Sequence, residues 1–227
     1  TAVLALGLAI VVIARRRRAR RWRREARARL AAIGRSAGTN YSQSCILLAG
    51  KGDGMQRDYS YDSRRCLDDL APAEETGREA AFKTLRRLGA GQIATAEMPI
   101  LFAPEVAAGI IAHLIGAISG SSLYRNASFL KDRAGERLFP EWLMLAERPH
   151  LRRGANSAHF DSEGVATHER NIIDRGVLTG YALSSYSARR LGLETTGNAG
   201  GVRNLLLQPG GEETADPLRL VDRGLLV

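Results

Sequence analysis

The chain has 227 residues, 44% of them hydrophobic and 25% charged. That suits one generous globular domain or two small ones and excludes wholesale disorder, collagen-like repeats and a multi-span membrane protein. The formal net charge is +9, but ten arginines and the single acid Glu25 between positions 15 and 29 account for all of it, leaving 23 basic and 23 acidic residues elsewhere.

In chain order, residues 1–14 (TAVLALGLAIVVIA) are uncharged, and the arginine run follows at once. As a helix, those fourteen residues would span roughly 21 Å, short of the roughly 30 Å hydrocarbon core. The first residue is Thr, and the segment reads as the end of a membrane anchor whose arginines hold the C-terminal side in the cytoplasm. A signal peptide would place its positive charge before the apolar run, not after it. Two rival readings stand beside the anchor: a basic arm for nucleic acid or anionic lipid, and a spurious start drawn from a neighbouring reading frame. Only Trp22 interrupts the arginines, so aromatic interleaving is lacking.

Residues 34–40 (GRSAGTN) are small and polar and mark a boundary. Beyond them the pattern predicts one α+β unit with a mixed or antiparallel sheet and packed helices. Residues 41–48 read as a strand, 50–54 (GKGDG) as a turn and 55–61 as a returning strand. The turn is not a phosphate loop, since it lacks the Gly-Lys-Ser/Thr ending and precedes a strand. A helix is predicted over 74–88, with Ala81, Leu85 and Leu88 as its apolar stripe and Gly89 as its stop. A short strand at 99–102 leads into a helix from Pro104 to about Ile118, apolar almost all round and therefore expected to be buried. Residues 171–174 and 177–184 flank Arg175-Gly176 as a β-hairpin, 185–191 form a short helix, and the glycine-rich loop 195–201 precedes a strand at 202–207.

Chemistry is sparse in these residues. The histidines are His113, His150, His159 and His168, and none sits in an intact zinc motif. His168-Glu169 begins one, but position 172 is Ile. Asp161, Glu163, His168 and Glu169 cluster around Gly164, read as a solvated loop before a metal or substrate site. Ser184, Ser185 and Ser187 lie near Tyr186 without a G-x-S-x-G elbow, so capping and turn roles come first. Cys45 and Cys66 make no disulfide framework and lack zinc-pair spacing, which places the protein by default in a reducing, cytosolic setting.

Seven ordered stretches between about 41 and 227 resemble the TldD/PmbA family, also called modulators of DNA gyrase. They are residues 54–59 (GMQRDY), 105–120 (EVAAGIIAHLIGAISG), 123–130 (LYRNASFL), 139–143 (FPEWL), 160–167 (FDSEGVAT), 180–191 (GYALSSYSARRL) and 196–201 (TGNAGG). The resemblance implies the C-terminal-domain fold of that family. It also implies a place in a cytosolic bacterial metallopeptidase system that degrades or matures peptides as a heterodimer of TldD-type and TldE-type subunits. The TldD type carries H-E-x-x-x-H on a helix, where the histidines hold zinc and the glutamate takes a proton from the metal-bound water.

The matching helix here has His113 at the first ligand position, with Leu114 in place of the glutamate and Ile118 in place of the second histidine. The resemblance therefore implies a PmbA/TldE-like subunit with no metal site of its own, zinc being expected on a TldD-like partner. Ser184, Ser185, Tyr186, Gly197, Asn198, Gly200 and Gly201 are the candidate peptide-binding residues, with simple turn-making as the bland reading of the glycines. The expected organisation is an apolar–arginine segment at 1–34 and a PmbA/TldE-like domain at 41–227, truncated at both ends. Two other function classes are weighed against it. One is a non-enzymatic binding module tethered to the inner membrane through residues 1–30. The other is a nucleic-acid-associated protein using the arginine run.

Overall fold

The structure, a computed structural model, describes residues 37–208 and 223–227. Residues 1–34 lie outside the described part, and with them the expected apolar–basic helix on which the anchor, membrane-contact and nucleic-acid readings rest. Among the described residues no helix is long and apolar enough to cross a membrane.

The first predicted strand becomes β1 (Tyr41–Ala49) and the second β2 (Gln56–Arg64). They pair antiparallel in unbroken register from Tyr41↔Arg64 to Ala49↔Gln56. Helix α1 (Ala73–Arg86) packs on this hairpin, with Glu74 and Glu75 in its first turn and Lys83 and Arg86 in its last, which suits the helix dipole. The predicted stripe of Ala81, Leu85 and Leu88 is not the buried face. Thr76, Ala80 and Thr84, four residues apart, take that place, while Leu85 is 58% exposed. The partner surface explains the reversal. Gln43 of β1 donates from Nε2 to Thr76 Oγ1 and to the Ala71 carbonyl, both at 2.7 Å, so the helix meets the hairpin through small and polar groups. Thr84 is satisfied within the helix, donating to the Ala80 carbonyl at 2.7 Å. The larger apolar side chains of the hairpin (Ile46, Leu48, Tyr59 and Tyr61) are exposed.

After β3 (Ile100–Leu101), which pairs in parallel with β8 (Leu225–Leu226), helix α2 runs from Pro104 to Ala117. Its apolar composition led to the expectation of full burial, and the structure differs. None of its residues is buried, and Val106 and Ile110 are 40% and 48% exposed. Only one side rests on the core, through the half-buried Ile111, Leu114, Ile115 and Ala117, and the fully buried Ile118 follows at the helix end.

The second half is a four-stranded antiparallel sheet in the order β6-β5-β4-β7, formed by Val177–Leu178, Arg170–Asp174, Met144–Glu147 and Leu205–Gln208. The α+β architecture with an antiparallel main sheet matches the fold expectation. Arg175 and Gly176 both take positive φ, 45° and 76°, and make the predicted hairpin turn. The returning strand is shorter than expected because the chain leaves the ladder after Leu178. Tyr181 then turns inward. Its hydroxyl donates to the Leu130 carbonyl at 2.9 Å and accepts the Arg133 and Ala134 N–H groups, which makes its burial tolerable. β7 starts three residues later than predicted, since Arg203 N–H is drawn to Glu147 and the Asn204 side chain to the Arg148 carbonyl. Ile118, Leu123, Leu145, Ile172, Ile173 and Leu178 form the centre of the core.

Candidate functional site

A groove of about 280 Å³ opens where the end of α2, the short helix α3 (Gly120–Tyr124), helix α4 (Ser185–Leu191) and the glycine-rich loop converge. Close packing makes the convergence. Gly120 N–H donates to the Ala182 carbonyl at 2.9 Å, and Ala182 N–H returns to the Ile118 carbonyl at 3.1 Å. A side chain at Gly120 would collide with Ser187, so the α3–α4 approach requires glycine there.

Ser184, Tyr186, Asn198, Gly200 and Gly201, five of the seven candidate peptide-binding residues, line this groove. The other two do not. Ser185 N–H is held by Glu163 Oε2 at 2.7 Å, and a β-carbon at Gly197 would lie 2.6 Å from the Ala166 carbonyl oxygen, which makes that glycine a packing residue. The Ser184 hydroxyl accepts Ser187 N–H at 3.2 Å, and Ser187 Oγ accepts Ser184 N–H at 2.9 Å, a reciprocal cap at the start of α4. Tyr186 is half exposed and meets Tyr124 edge-on, ring centroids 5.7 Å apart.

Asn198 is buried and fully engaged. Its Oδ1 accepts from Arg170 at 2.9 Å and from Thr196 Oγ1 at 2.7 Å, and its Nδ2 donates to Glu147 Oε1 at 2.8 Å. Glu147 Oε1 also accepts Arg203 N–H at 2.7 Å, while Oε2 accepts Arg170 Nε at 2.8 Å. Sequence reasoning passed over Glu147 and Arg170. The signal available was an acid closing the apolar run Leu143–Ala146 and an arginine opening Asn171–Asp174. Together these residues clamp the glycine-rich loop to the end of the sheet.

The polar cluster around Gly164 does not gather. Asp161 is buried, and its carboxylate accepts three backbone N–H groups, from Glu163, Val165 and Ala199, each at 2.9 Å. It is a loop organiser, where a solvated loop was expected. Glu169 lies 4.0 Å from Arg148, and His168 is exposed. His150 lies beside His159 with the rings tilted by 33° and centroids 5.3 Å apart, and it meets Thr167 Oγ1 at 3.1 Å. On α2, His113 is exposed, Leu114 is half-buried and Ile118 is fully enclosed in the core. Among the described residues no three His, Cys, Asp or Glu side chains are grouped to hold a metal ion.

Residues 95–227 match the model of the PmbA/TldA metallopeptidase C-terminal domain, and residues 32–88 that of the central domain. The chain is 45% identical over 184 residues to the metalloprotease PmbA of Escherichia coli O157:H7, covering 81% of this chain and 41% of that one. Among solved structures, it resembles a Bacteroides thetaiotaomicron protein provisionally named a modulator of DNA gyrase. The TM-score is 0.76 at 29% identity, over 83% of this chain and 43% of that one. It also resembles TldE from Thermococcus kodakarensis, with a TM-score of 0.66 at 25% identity over 83% and 45% of the two chains. The chain thus spans about two-fifths of the length of such relatives.

Proposed function

The chain belongs to the PmbA/TldD metallopeptidase family, and from that premise we propose that it acts as the TldE-like, non-zinc-binding subunit of a two-subunit cytosolic peptidase. Its TldD-like partner supplies the zinc chemistry, and this chain shapes the substrate chamber and holds peptide in the groove beside α4.

The observation that carries the reading is the state of α2. A zinc site of the family type needs two histidines and a glutamate. Leu114 and Ile118 stand in two of those positions with hydrocarbon side chains, and Ile118 is locked inside the core. These residues do not fit the ion, and no hydrolytic step is assigned to this chain. The groove supports peptide holding because it offers bare glycine backbone at Gly200 and Gly201 beside the partly exposed Tyr186 ring. Extended peptides bind such surfaces through main-chain hydrogen bonds supplemented by side-chain contacts.

Two measurements test the proposal. Elemental analysis of the purified chain, after removal of loosely held metal, is expected to give near-zero zinc. Co-expression with a TldD-type subunit should give a stable complex that cleaves peptides, while this chain alone does not. Close to one zinc per chain, or peptide cleavage by the chain alone, would overturn the assignment.

A further inference from the structure

The groove beside α4 carries no charge: among the described residues no Asp, Glu, Lys, Arg or His lines it. Its side-chain hydrogen-bonding groups are already engaged within the protein. Ser119 Oγ donates to the Gly116 carbonyl at 2.8 Å, and the Ser121 hydroxyl meets Ser119 Oγ at 3.2 Å. Ser184 and Ser187 cap each other, and the Asn198 side chain is held by Glu147, Arg170 and Thr196. A charged ligand group placed here would give up water for a surface that offers no counter-charge.

What remains for a ligand is aromatic ring and bare backbone. Tyr124 of α3 and Tyr186 of α4 both line the groove and meet edge-on. Arg190 stands over the Tyr124 ring, 5.8 Å from its centroid, so that ring already has a partner. Tyr186 is the more accessible of the two, with 52% of its surface exposed. A cationic ligand side chain at this pair would also meet the like charge of Arg190. Gly200 is exposed in the groove with φ +88°, and its N–H and C=O take no partner among the described residues.

We infer that the groove selects uncharged peptide segments through an aromatic side chain, which packs on the Tyr186 ring while the peptide backbone pairs with Gly200. Aromatic rings gain from offset or edge-on contacts, with centroids roughly 4.5–7 Å apart, beyond the area they bury. The Tyr124–Tyr186 pair, at 5.7 Å, already has that geometry, and an incoming ring extends it. A leucine side chain brings apolar surface without the ring quadrupole. The groove, at about 280 Å³, is small beside the roughly 300–1,000 Å³ of drug-sized ligand sites, which suits one large side chain and not a folded element. The inference rests on the peptide-holding role proposed above and makes Tyr186 the residue that sets specificity within it.

The test uses the full chain and acetylated, amidated Gly/Ala hexapeptides with one central guest residue, Phe, Leu, Lys or Glu, titrated by isothermal calorimetry. The Phe peptide is expected to bind about five- to tenfold more tightly than the Leu peptide, with Lys and Glu weaker than Leu. Tyr186→Leu, which keeps bulk and loses the ring, should bring the Phe-to-Leu ratio close to one. Tyr186→Phe, which keeps the ring, should preserve the ratio, and Tyr186→Met replaces the leucine variant should that one fail to fold. Equal binding of Phe and Leu peptides by the wild-type chain, tighter binding of Lys or Glu, or a Phe preference that survives Tyr186→Leu would overturn the inference while the peptide groove stands. Failure of every peptide to bind would remove the groove reading and the aromatic selection with it.

Discussion

Arg170 Nε donates to Glu147 Oε2 at 2.8 Å, and the receiving side chain is only 3% exposed. A carboxylate so deeply withdrawn from water is tolerable only if its remaining lone pairs are used. Here Oε1 takes Asn198 Nδ2 and Arg203 N–H, so one acid holds the sheet, the glycine-rich loop and the strand that follows it. Removing it leaves the buried Asn198 amide and the Arg170 guanidinium short of partners at once. Glu147→Ala should therefore lower unfolding stability by about 3–5 kcal/mol in urea denaturation. Glu147→Gln, which keeps an acceptor oxygen, should cost less. A change within about 0.5 kcal/mol for the alanine variant would mean that the pair contributes nothing net.

The α3–α4 contact gives a second prediction. Gly120 stands against Ser187 with no room for a methyl group. Gly120→Ala should cost about 1–3 kcal/mol through overpacking. Ser187→Gly makes the room but gives up the reciprocal cap with Ser184, worth about 1 kcal/mol. The double variant should therefore be more stable than the sum of the two losses requires. Strict additivity in a double-mutant cycle would refute the close-approach argument.

How far residues alone reveal this architecture depends on how local each cause is. Helix α4 was legible to the residue because its cap, Ser184, and its left-handed end, Gly192, are local signals. The β1–β2 hairpin was legible for the same reason. The buried face of α1 was not. The apolar stripe at Leu85 and Leu88 obeys helical spacing, but the hairpin surface it would have met is polar at Gln43. The exposure of α2 was hidden likewise, since composition records apolarity and not which neighbour covers it. In the groove, five of seven candidate residues converged because the glycine-rich loop and the serine cap are sequence-local. The Glu147–Arg170–Asn198 clamp spans 51 positions, and no local pattern announces it.

The outward face of the hairpin presents Ile46, Leu48, Tyr59 and Tyr61, each more than half exposed, beside two strand edges that pair with no further strand among the described residues. Apolar side chains next to unpaired edges favour association between chains. Because these groups bury little surface, Ile46→Ser together with Tyr59→Ser should change stability by no more than about 0.5 kcal/mol per site. The same pair should reduce concentration-dependent self-association in sedimentation velocity. A large loss of stability with unchanged association would show that the face is already covered within the chain.

The hairpin also carries an acid-sensitive element. Asp62 Oδ2 accepts Ala71 N–H at 2.8 Å, and Arg64 stands 3.0 Å from Oδ1, so the carboxyl is held below its ordinary value. Asp58 is lowered as well, first by Tyr59 N–H at 2.8 Å and then by Arg87 at 3.2 Å. A carboxyl with a depressed folded-state pKa binds protons more weakly when folded than when unfolded. Its stabilising contribution is complete above the unfolded value of about 3.9 and is lost as pH falls through the folded value. Urea midpoints followed by circular dichroism should therefore be flat with respect to these groups from pH 7 to about 5 and should drop below about pH 4. Asp58→Asn with Asp62→Asn should lower the neutral-pH midpoint and flatten the acid limb. An acid limb of unchanged slope in the double variant would place the sensitivity in other carboxylates, such as Glu105, lowered by its own N–H and then by Lys83 at 3.4 Å.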